Sequence, residues 1–162
     1  MTVLIFIFGA CLTLLLSPVL GQAPPDLPAL LESLRAVGPE GRGNEEARTA
    51  WRRVAASDAA ALPRILEALD GAGPSAANWI RTAADAVAGG ELEHGGKLPA
   101  ADLEAFILDR RHDPRARRLA FELLSRIDSG APARLIPFFE DDPSVELRRD
   151  AVTALLEKAA AD

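Results

Sequence analysis

The phrase D142-P-S-V-E-L-R-R-D-A-V152 has a close paraphrase upstream, D113-P-R-A-R-R-L-A-F121. Asp-Pro is a strong helix opening: the carboxylate accepts an N–H of the first turn, and proline at the first helical position sacrifices no hydrogen bond. The two Asp-Pro steps stand 29 residues apart, and the cores A116-R-R-L-A120 and L147-R-R-D-A151 stand 31 apart, which implies a two-residue insertion. N44-E-E-A-R-T-A-W51 fits the same frame, with Ala47, Arg48 and Trp51 at the positions of Ala116, Arg117 and Ala120. Between these first helices lie second helices with a proline step, L62-P-R-I-L66 and I136-P-F-F139. A period of about 30 residues with two helices per unit marks a stacked array, because one such unit cannot bury its own apolar face.

Hydrophobic spacing fills in the remaining helices. Leu27, Leu30, Leu31, Leu34 and Val37 recur at helical intervals until Gly38-Pro39 stops them. After the turn G41-R-G-N44, with Asn44 expected as N-cap, Ala47, Ala50, Trp51 and Val54 continue with helical period. A helix around Leu62 to Leu69 ends at D70-G-A-G-P74, and Ser75 is expected to cap the next, through Ala76, Ile80, Ala83, Ala84 and Val87. G89-G-E-L-E-H-G-G96 reads as a frayed helix end or a loop. Further helices are expected from Pro99 to Leu108, from Asp113 to Ile127, around Arg134 to Glu140, and through Leu147, Ala151, Val152, Leu155 and Leu156. No run alternates with period two, and alanine, depleted in strands, dominates the body. The fold class is all-α. On the Asp113 helix Phe121 falls about 80° beyond the centre of the apolar arc, so it is buried only if neighbouring units cover that flank.

The chain carries 18 basic and 24 acidic residues, a net charge of −6, all of it after Pro25. That balance argues against nucleic acid and against an anionic membrane as partners. Cys11 is the only cysteine, so no intrachain disulfide is possible. Val3 to Leu20 is uncharged and apolar, about 27 Å as a helix and slightly short of a bilayer core. Pro18 breaks it and V19-L-G-Q-A23 supplies small residues, so residues 1–21 read as a signal peptide cut after Gly21. Export to a periplasmic or extracellular location follows. The alternative is an uncleaved anchor, which would be the chain's only membrane contact.

The Asp-Pro opening, an Arg with an Ala three residues on, and a second helix carrying Leu-Pro or Ile-Pro resemble the HEAT repeat. The likeness is greatest to the short variety of bilin-lyase-like proteins, here of a secreted bacterial type. It covers about residues 44–156, although the Ser75–Leu108 unit lacks the Arg-Ala core. It implies a right-handed α-solenoid of antiparallel helix pairs. Residues 22–43 would then form a linker and N-terminal helix, and residues 44–162 about three and a half repeats. It also implies binding rather than catalysis: a protein-interaction scaffold, or alternatively the N-terminal binding or regulatory module of a longer secreted enzyme. In such arrays the second helices line the concave side, which would present Arg64, Glu67, Asp102, Asp109 and Arg134. HEAT-like DNA glycosylases need a basic concave face, which the acidic balance opposes.

Catalytic chemistry finds no foothold in the sequence. His94 and His112 have no partner at helical spacing and read as solvated, and no third or fourth zinc ligand is at hand. The serines at 33, 57, 75, 125, 129 and 144 form no nucleophile elbow, and Ser57, Ser75 and Ser144 read as helix-start residues. E140-D-D142 reads as a helix exit followed by an N-cap. No catalytic residue, metal ligand or cofactor site is assigned. R110-R-H-D-P-R-A-R-R118 is the one concentration of charge. In it Arg117, like Arg148 in the next unit, is expected to reach a neighbouring unit's capping carboxylate, and Arg118 to pair with Glu122. The candidate partner-binding residues are Arg110, Arg111, Arg115 and Arg118 in this stretch, with Val152 and Leu156 on the last helix. The expected partner is a protein or a second copy of the chain, through that helix.

Overall fold

The computed structural model describes residues 26–161. The signal-peptide reading, Cys11 and the cut after Gly21 lie outside the described residues. Within them the chain is helical, and no strand occurs among the described residues. Eight α-helices follow one another: α1 Leu27–Arg35, α2 Asn44–Val54, α3 Leu62–Glu67, α4 Pro74–Glu93, α5 Ala100–Leu108, α6 Pro114–Ile127, α7 Ala131–Leu135 and α8 Val145–Ala161. A 3-10 turn, Ala59–Ala61, leads into α3, and another, Ile136–Phe139, extends α7. None of the described helices is long and apolar enough to cross a membrane.

The buried positions are those that the hydrophobic spacing marks. On α1 they are Leu27, Leu30, Leu31 and Leu34, and on α2 Ala47, Ala50 and Val54. On α6 Asp113 accepts the Arg115 N–H at 2.8 Å, Pro114 takes the first helical position, and Ala116, Leu119, Ala120, Phe121, Leu123 and Leu124 are all buried. Phe121 meets Phe139 edge to face, with ring centroids 5.6 Å apart, so the 3-10 turn after α7 covers the flank that the helix alone would leave wet. Burying a side chain of that size contributes about 1.5–3 kcal/mol.

Three helix starts differ from expectation, two of them at a glycine. Asn44 is the first residue of α2, and Gly43, at φ +81°, holds the cap position. Gly73 rather than Ser75 precedes α4, because Pro74 is already helical. Asp58, not Ser57, caps the turn into α3 by accepting the Ala60 N–H at 2.9 Å. Ser144 does act as a cap, accepting the Leu147 N–H. α4 runs straight through Gly89-Gly90, so the Gly-rich stretch begins as helix and turns only at His94.

Neighbours in sequence are neighbours in space. α1 packs on α2 and α4, α3 on α4, α5 and α6, and α5 on α6. α8 packs on the turn Ile136–Phe139 and on α6. One apolar core runs from Leu27 to Ala151. α8 adds only Leu147 and Ala151 to it, and its second half is mostly exposed.

Candidate functional site

Two polar joints fasten successive helix pairs, and both take the charges that would otherwise suggest a binding patch. In the first, the Arg117 guanidinium on α6 is 1% exposed and makes two hydrogen bonds to the Asp142 carboxylate, at 2.8 and 2.6 Å. Its Nε donates to the Ile107 carbonyl at 2.7 Å. Asp142 is fully buried just before α8; it also accepts the Ser144 N–H at 2.8 Å, and Arg148 donates to its backbone carbonyl. Burial pushes the Asp142 carboxyl up, but the hydrogen bonds from Arg117 and Ser144 and the nearby Arg110 charge outweigh it and hold it below the usual carboxylate range. Arg117 thus reaches a carboxylate in the segment just before α8, but not a capping one. Asp142 is not an N-cap; that role belongs to Ser144.

The second joint centres on Asp70, at the end of α3. Its carboxylate accepts the Asp113 N–H at 2.7 Å and lies 2.8 Å from His112 Nδ1. Its backbone carbonyl, with that of Ala68, accepts from Arg35 of α1 at 2.9 and 2.7 Å. His112 is therefore not a solvated residue: its ring stacks on Phe106 at 3.9 Å and its side chain is only 19% exposed. The sequence gives no warning of this pairing, since 42 residues separate the partners.

The four candidate arginines are spent on similar contacts. Arg110 bonds Asp141 at 2.7 Å and the Phe138 carbonyl at 3.1 Å, bracing the loop before α6 against the turn before α8. Arg111 clamps Asp109 and holds that carboxyl well below its ordinary value. Arg115 clamps Asp113 and donates to the Ala72 carbonyl at 2.9 Å. Arg118 pairs with Glu122 at 3.0 Å, as its i, i+4 spacing suggests, and also with Asp150 of α8. Arg115 and Arg118, with Arg81, line a cleft of about 300 Å³ between α4 and α6, floored by Leu69, Ala77 and Leu119. Every guanidinium in it already has a carboxylate, so the cleft offers no unbalanced positive charge. Of the second-helix residues, Arg64 pairs with Glu67 and Arg134 with Glu104 and Asp128. The surface they form is mixed in sign.

Val152 and Leu156 have a different fate. They are 44% and 66% exposed, and Val145 and Leu155 beside them on α8 are 69% and 49% exposed. This is the largest apolar feature that one helix leaves uncovered among the described residues. The candidate set therefore divides: Arg110, Arg115 and Arg118 tie neighbouring segments together, Arg111 clamps only the adjacent Asp109, and the α8 pair faces outward.

Among the described residues no group of three or more His, Cys, Asp or Glu side chains could hold a metal ion. Compared with protein-family models, curated proteins and solved structures, the chain matches none.

Proposed function

We propose that this protein is an exported, non-catalytic protein-interaction scaffold, built as a right-handed HEAT-like α-solenoid. The sequential packing of the helices and the Arg117–Asp142 joint, set in the frame of the Asp-Pro repeat, support the solenoid reading. The observation that carries the binding function is the exposed apolar face of α8 at Val152 and Leu156. The balanced ion pairs elsewhere suit a protein partner better than nucleic acid.

A photo-reactive side chain at Leu156, expressed in the native cell, should give a discrete adduct with a protein, and the same probe at exposed Glu32 on α1 should not. Equal labelling from both positions, or none from Leu156, would remove the reading. N-terminal sequencing of exported material should begin near Gln22. An intact Met1 in the membrane fraction would replace export with anchoring.

A further inference from the structure

We propose that the outward face of α8 is a homodimer interface, in which two copies of this chain lay their last helices antiparallel about a two-fold axis. The inference rests on reading α8 as a binding surface and names what covers it. Val145, Val152, Leu156 and Ala159 recur at intervals of seven, four and three, so they share one stripe of the helix, with Leu155 at its edge. This stripe is distinct from the face that carries Leu147 and Ala151 into the core. The exposed fractions of the four large residues correspond to roughly 400 Å² of apolar surface per copy, within the size range of patches that mark interaction sites. Two such stripes bring together roughly 800 Å² of apolar surface before the flanks are counted, the size of a weak, reversible contact and below that of a stable specific interface.

Charge selects both the partner and the direction. Arg149, Thr153 and Glu157 follow one another at intervals of four on one side of the stripe, Arg149 beside it and Glu157 about 80° further round, where only an extended side chain reaches the seam. Arg149 is 68% exposed, with no acid nearer than Asp150 at 3.6 Å, and Glu157 is exposed. A two-fold axis across the stripe brings Arg149 against the partner's Glu157, and does so twice. A parallel pairing would instead put the two copies of this flank on opposite sides of the seam, where Arg149 and Glu157 do not meet. Small side chains at Ala159 and Ala160 leave room for the helices to approach. The flank is therefore complementary to its own inverted copy.

Sedimentation velocity on the purified protein across a concentration series should show reversible conversion of monomer to dimer, and nothing larger. Val152→Lys with Leu156→Glu should abolish the dimer without changing the helical circular-dichroism signal, since neither residue is in the core. Arg149→Glu and Glu157→Arg should each weaken association about tenfold. The two together should restore it, because the swapped charges again meet across the axis. A monomer at every concentration, a dimer indifferent to the stripe variant, or a double swap no better than the singles would each overturn the proposal. A strict monomer whose Leu156 still labels another protein would overturn the dimer and leave the scaffold standing. A dimer lost in the stripe variant, with no other adduct at Leu156, would support the dimer and remove the scaffold.

Discussion

Replacing Asp142 by alanine removes one half of the buried ion pair that ties α6 to the start of α8. Arg117 would keep its bond to the Ile107 carbonyl, but it would lose both contacts to the carboxylate, and the Ser144 N–H would lose its acceptor. The guanidinium is 1% exposed, so water cannot replace the lost partner unless the loop opens. Breaking a buried pair from one side costs about 3–5 kcal/mol, a large share of the roughly 5–15 kcal/mol that holds a domain folded. Urea unfolding followed by circular dichroism would read this directly. With a slope of about 1–3 kcal/mol per molar urea, the midpoint should fall by about 2 M. Arg117→Met should cost less, because Asp142 keeps the Ser144 N–H and the Arg110 charge, 3.8 Å away. Arg117→Met with Asp142→Leu removes both charges and should recover much of the single-variant loss. A cost below about 1 kcal/mol for Asp142→Ala, or a double variant no better than it, would refute the idea that this pair fastens α8 to α6.

Acid should act through the same carboxylates. Asp113, held low by Arg115, Asp128, held low by Arg134, and Asp142 all have lower pKa values folded than unfolded. Their contribution is complete above the ordinary carboxylate value of about 4 and is lost as pH falls through the lowered values. Urea midpoints should therefore drop as pH is taken from about 4 toward 2, and less steeply in Arg117→Met; a rise would contradict the assigned pairs. Gly89 and Gly90 lie inside α4, and a Cβ at either position would meet nothing within 4 Å. Gly89→Ala and Gly90→Ala should each stabilise by about 0.5–1 kcal/mol, seen as a higher melting temperature. Ala120 is fully buried on α6, and Ala120→Leu should cost about 1–3 kcal/mol by overpacking; a neutral result would mean that the helix is rotated from its assigned face.

The helices were legible because apolar residues such as Leu27, Leu30, Leu31 and Leu34 recur at a period only a helix can use. The helix ends were less so. A cap is decided by local backbone geometry, and a glycine at 43 or 73 takes the position with no side chain to announce it. Gly89-Gly90 looks like a break, yet α4 continues through it from a turn that the buried Val87 and Ala88 anchor. The basic stretch did carry its own explanation. Asp109 and Arg111, like Asp113 and Arg115, stand two residues apart, close enough for each arginine to clamp the acid beside it. The Asp70–His112 contact had no such mark, because it is made by tertiary packing between segments that share no local pattern. The exposure of Val152 and Leu156 followed from counting faces: α8 has more apolar residues than its neighbours can cover.

The loop D70-G-A-G-P74 has the composition of the slackest segment in the body, with Gly71 at φ +69° and two further small residues beside it. It is pinned instead from both sides, by Arg35 on its carbonyls and by His112, Asp113 and Arg115 on Asp70 and Ala72. α8 hangs by less: two core side chains, the Arg117–Asp142 pair and the Arg118–Asp150 contact. Under tension the two regions would behave as a weld and a latch. A force along the chain would peel α8 away first, at modest load, while the segments joined at Asp70 yielded later and together.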